Sequence, residues 1–136
     1  MKDLRPALRA FLLSDMAIAS VVDGARVYPQ RMPQGEAGAS VVYTRVSGEG
    51  DYTMQGPSGF VRTRFQIDAW ASTADAATVL ANLIKDRLDG YRGVMGEDAD
   101  AITVHGVFIA AEREDFDEAA KLHRSGRDYI IHHIEL

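Results

Sequence analysis

The chain has 136 residues, 46% hydrophobic and 26% charged, with a net charge of −5, four histidines and no cysteine. That size and balance describe one domain with a single packed core, and they exclude a disulfide framework, a thiolate metal site and a broad basic surface for gripping nucleic acid. No apolar run approaches the ~20 residues of a membrane span, and the charged, proline-interrupted start Met1-Lys2-Asp3-Leu4-Arg5-Pro6 does not read as a secretory signal. The expectation is a chain made in the cytoplasm that does not enter a membrane.

Leu4, Leu8, Phe11 and Leu12 recur at helical spacing, with Pro6 in the first turn where its missing N–H costs nothing, and they predict a helix over residues 3–13. Ser14-Asp15 can cap a shorter second turn, Met16 to Val22, closed by Asp23-Gly24. A short extended piece at Arg26-Val27-Tyr28 stops at Pro29, and the prolines and glycines of 31–38 predict an exposed loop. Ser40 to Ser47 alternates and is β-branched. Gly48-Glu49-Gly50 is expected to break it, leaving a weaker strand at 51–54 and a turn over 55–59.

The strongest strand signal lies at 60–71. Val61, Thr63, Phe65, Ile67 and Ala69 fall on one face, and Arg62, Arg64, Gln66 and Asp68 on the other, with Arg45 expected nearby on a neighbouring strand. The period then changes to three and four at Ala77, Leu80, Ile84 and Leu88, a helix introduced by Ser72-x-x-Asp75 and ended at Asp89-Gly90. A loop is expected over 91–101, then a strand at 102–112 whose parity slips at Gly106, as at a β-bulge. Glu112 to Lys121 reads as a solvated connection, and 127–136 as a closing strand with apolar residues on both faces. The fold class is α+β, a mostly antiparallel sheet packed against two main helices in a single domain over residues 1–136.

Catalytic patterns are sparse. Gly48-Glu49-Gly50 lacks the third glycine and following helix of a dinucleotide site. His132 and His133 are adjacent in a strand, so they point to opposite faces and cannot chelate one ion without a further partner such as His105. No cofactor or metal is expected, and the histidines, His123 included, read as structural or surface groups. The acidic groups at 97–100 and 112–118 match no calcium loop and read as solvated faces. Arg62 and Arg64 have two readings: cross-strand pairing with Asp68, Glu49 or Asp51, or contact with another subunit, which Trp70 on the same side favours.

The succession Leu8-x-x-Phe11-Leu12, Arg26-Val27-Tyr28-Pro29-Gln30, Pro33-Gln34-Gly35, Val41-Val42-Tyr43-Thr44-Arg45-Val46-Ser47-Gly48 and Arg64-Phe65-Gln66-Ile67-Asp68-Ala69-Trp70-Ala71, leading into an alanine-rich helix, resembles the tail-completion (tail terminator) family of long-tailed bacteriophages and related gene-transfer particles. The resemblance implies a structural virion protein without catalytic residues. It implies a subunit that forms a ring, commonly a hexamer, at the head-proximal end of the tail tube, stops tube growth and meets the head-side connector. Its partners would be copies of itself, the tail tube protein and the connector or stopper protein, with DNA only passing through the lumen. The surface expected to serve these contacts comprises Arg31, Gln34, Arg45, Glu49, Asp51, Tyr52, Arg62, Arg64 and Trp70. The alternatives are another head–tail joining protein, or a small metal- or ligand-binding α+β enzyme using His105, His132 or His133.

Overall fold

The computed structural model describes residues 3–33, 35 and 38–134. Two short helices, α1 (Arg5–Leu13) and α2 (Met16–Val21), lead through β1 (Val27–Pro29) into a long hairpin of β2 (Ser40–Thr53) and β3 (Gly56–Ala71). Helix α3 (Ala74–Leu88), the short strand β4 (Gly93–Met95) and a 3-10 turn at Asp98–Asp100 then precede a second long hairpin, β5 (Ile102–Asp117) and β6 (Leu122–Ile134). All six strands form one sheet in the order β1-β2-β3-β6-β5-β4. Only β1 runs parallel to its neighbour, so the architecture is α+β with a mostly antiparallel sheet.

The centre of the sheet joins the two hairpins. β3 and β6 pair without interruption from Phe60↔Ile134 to Ala71↔His123. Because β residues alternate faces, β3 presents Val61, Thr63, Phe65, Ile67, Ala69 and Ala71 to the helices, and all six are buried. Leu4, Leu8, Phe11 and Leu12 of the N-terminal segment and Ala77, Leu80, Ile84 and Leu88 of α3 close the core from the other side, as their spacing predicts. Arginines fasten these layers together. Arg127 reaches the Ala81 carbonyl (2.8 Å) and Asn82 (3.0 Å), tying β6 to α3, while Arg87 donates to Ser14 Oγ (2.7 Å) and lies 3.8 Å above the Phe11 ring.

Four local expectations change. Gly48-Glu49-Gly50 does not break its strand: β2 runs on to Thr53, with Val46 as an extra residue at one register shift and the surplus on β3 at a second, between Gly50 and Tyr52. The hairpin therefore turns at Met54-Gln55, and residues 51–59 are its two-stranded arm. β5 likewise continues to Asp117, because Glu112, Arg113 and Asp115 alternate faces and find cross-strand partners on β6. Met95 and its neighbours form an edge strand where a loop was expected. Helix α3 is capped by Thr73, whose Oγ1 accepts from the Ala76 amide at 3.1 Å, one residue after the expected Ser72. The bulge expected at Gly106 is present as a register shift between Val104 and Gly106.

Candidate interaction face

The face of the sheet opposite the helices carries β3 residues Arg62, Arg64, Gln66, Asp68 and Trp70, beside Arg124, Asp128 and His132 of β6 and Arg113 and Asp115 of β5. Its charges interlock across three strands. Asp128 is buried and accepts from Arg64 Nε (3.0 Å) and Nη2 (2.8 Å) on one oxygen and from Arg113 Nη1 (2.9 Å) and Nη2 on the other. One carboxylate thus bridges two guanidiniums from the strands on either side of it. Arg124 donates to both oxygens of Asp115, stands 3.8 Å from Asp68 and lies 5.4 Å from the centre of the Trp70 ring.

Asp68 is the unusual member. Its Oδ2 accepts from Gln66 Nε2 at 2.7 Å, while its buried Oδ1 has no hydrogen-bond partner among the described residues. Burial, the largest influence, raises its pKa against the opposing pull of Gln66 and Arg124. The carboxylate lies directly over Gly126, where a Cβ would fall 1.9 Å from Oδ1. Beside it, Met32, Pro33, Val42, Trp70 and Ala120 help to line a groove of about 740 Å³.

On the opposite face, burial also pushes the Tyr129 hydroxyl up, to about 12, so it is neutral across the physiological range. Thr63 Oγ1 lies 2.8 Å from His133 Nε2. No group of three or more histidine or acidic side chains is arranged to hold a metal ion among the described residues, and no described helix is long and apolar enough to cross a membrane.

The structure brings together only part of the surface expected from sequence. Arg62, Arg64, Trp70 and Glu49 share the helix-free face, and Arg62 lies 3.7 Å from Glu49, which is one of the pairings foreseen. Arg64 pairs with Asp128 instead of the acids considered for it. Arg45 is not beside them. It stands opposite Phe65, and directly opposed residues of an antiparallel pair share a face, so it projects on the helix side. Asp51 and the exposed Tyr52 belong to the hairpin arm, where the Asp51 carboxylate accepts from Ser58 Oγ at 3.1 Å. Arg31 lines the groove, and Gln34 lies outside the described residues. Arg113 was missed because 112–121 reads as a charged connection, Arg124 because it precedes the closing strand expected at 127–136, and Asp128 because that strand's partners are not written in its local pattern. The period-two spacing of Arg124, Gly126 and Asp128 was the available signal.

A family model described as tail completion protein gp17 matches residues 6–132 of this helix-backed sheet. The chain belongs to the tail completion family. A chain from a solved structure titled as the virion of a native gene transfer agent particle shares its fold, with a TM-score of 0.69 and 18% identity over 93% of this chain and 91% of that one. No curated protein sequence matches. As a tail completion chain the molecule is a structural virion component that works through contacts with other virion proteins, and its family is not a class of enzymes. The interlocked arginines and carboxylates fit that role, since they stiffen a surface.

Proposed function

We propose that this tail completion protein is the tail terminator: it forms a ring, a hexamer, on the head-proximal end of the tail tube, ends tube growth and offers the head-side connector its docking surface. The family match along nearly the whole chain carries this reading. A sheet covered by helices on one face only, with a charge-balanced second face and a projecting two-stranded arm, supports it. Such a subunit meets like copies head to tail, and a cyclic arrangement closes without leaving a free contact. The nine residues named from sequence are proposed as subunit or partner contacts, at different places: Arg62, Arg64, Glu49 and Trp70 on the helix-free face, Asp51 and Tyr52 on the arm, Arg45 on the helix side, and Arg31 and Gln34 in the segment before β2. Assembly in the host cytoplasm precedes incorporation, and DNA passes through the lumen, where the net charge of −5 disfavours gripping it.

Light scattering of the purified chain over a range of concentrations, with and without purified tail tubes, tests the reading. The expected result is a closed oligomer of fixed copy number, formed alone or on tubes, and tails of uncontrolled length when the protein is withheld. A chain that stays monomeric and leaves tubes bare would overturn it.

A further inference from the structure

The short edge strands β1 and β4 cover the long strands inside them, β2 and β5, along only part of their length. β1 pairs with β2 at Val41–Tyr43 alone, so no described strand lies outside residues 44–53 of β2. β4 pairs with β5 at Ile102–Val104, and the Gly90 amide reaches the Val107 carbonyl at 3.0 Å, so no described strand lies outside residues 109–117 of β5. Long open strand edges are templates for pairing, and a two-stranded arm is marginal in water without a third strand. Resting on the ring reading above, we propose that the open stretch of β2 in one subunit pairs with the open stretch of β5 in the next copy of this chain, so that each ring contact is a backbone ladder between those two segments.

Three properties of the edges fit one another. The first is polarity. β2 is antiparallel to β3, β3 to β6 and β6 to β5, so β2 is also antiparallel to β5, and copies set side by side meet with their strands opposed. The second is position. The middle of the β2 stretch, Gly48, is level with Val107 through Thr63 and Ile131, whereas the middle of the β5 stretch lies near Arg113. Allowing for the bulge between Ile109 and Ala111, the offset is about five levels, or ~17 Å at ~3.3 Å per residue, against a repeat ~19 Å wide for the four strands from β2 to β5 at ~4.8 Å per strand. Strands tilted by roughly 40° from the ring axis absorb that offset at every contact, within the range of tilt that closed β-barrels adopt. The third is charge. Arg45 on β2 and Glu112 and Glu114 on β5 all project on the helix side, so opposite charges line the same side of the joined sheet.

The chain has no cysteine, so disulfide trapping starts from a silent background. A cysteine at Arg45 or Gly48, where Thr63 Oγ1 at 3.9 Å leaves room for a Cβ, is combined with one at Glu112 or Glu114. Oxidation of the assembled protein is expected to give at least one combination a covalent ladder ending at the closed ring, with none beyond a dimer from the single variants. Amides of 44–53 and 109–117 in the unmodified protein are expected to slow in hydrogen exchange on assembly by tenfold or more. Rings that form normally, yet show neither the ladder nor the protection, would overturn the edge pairing and leave the ring standing. A wild-type chain that never assembles would remove the ring itself.

Discussion

At the scale of single residues, the helix-free face depends on geometry that few substitutions can keep. Replacing Asp128 by alanine leaves Arg64 and Arg113 facing each other with their shared acceptor gone. The expected loss is about 2 kcal/mol, below the cost of breaking a fully buried pair because both arginines are about one-third exposed. Chemical denaturation of Asp128→Ala checks it. Gly126→Ala drives a methyl group into the Asp68 carboxylate and is expected to cost about 1–3 kcal/mol. Because the clash is with one side chain, the same change in an Asp68→Ala background should cost much less, a coupling that a double-mutant cycle reads directly.

Asp68 also sets a pH dependence. Its folded pKa is raised chiefly by burial, so the ionised form is disfavoured in the folded state and stability is lost as pH rises through that pKa. Asp68→Asn removes the buried charge while Arg124 keeps both hydrogen bonds to Asp115. Thermal melts are expected to show the variant more stable than wild type at pH 7, with the gap closing as acid protonates the wild-type carboxyl. A gap that widened toward acid would contradict the assignment.

At the scale of elements, α3 shows how much a cap decides. Thr73 has extended backbone angles and its hydroxyl takes up the Ala76 amide, so Thr73→Ala is expected to cost about 1 kcal/mol, measured as a shift in denaturation midpoint. Ser72-x-x-Asp75 located the start of the helix to within one residue, because several hydroxyls near a helix start look alike and only backbone angles choose between them. The stripes of α1 and α3 and the alternation of 60–71 were legible because each buries one continuous face against the core. Gly48-Glu49-Gly50 misled for the opposite reason. Glycine weakens a strand by packing nothing, but residues 45–53 of β2 are exposed, so little packing was there to lose. Glu112–Asp117 was opaque because its alternating charges are matched by Arg124 and Arg127 on a strand whose neighbourhood no local pattern announces.

At the scale of the whole molecule, the family could be read from the order of short motifs, and the sheet's strand order could not. Pairing of β3 with β6 joins residues some sixty apart in sequence, and hydrophobic periodicity carries no record of such partners. The site was legible in the same uneven way. Arg62, Arg64 and Trp70 were placed on one face by counting along a single strand, whereas Arg45 needed the register between two strands, and the Arg64–Asp128–Arg113 bridge needed three.

The late arrival of β6 has a consequence for particle quality. Since the last hairpin strand fills the middle of the sheet, a polypeptide that stops before Leu122 is missing its keystone, and β3 is left with nothing to pair with on that side. A chain truncated after Lys121 is therefore expected to lack a cooperative unfolding transition and to be left out of assembled particles, which thermal melts and particle composition check.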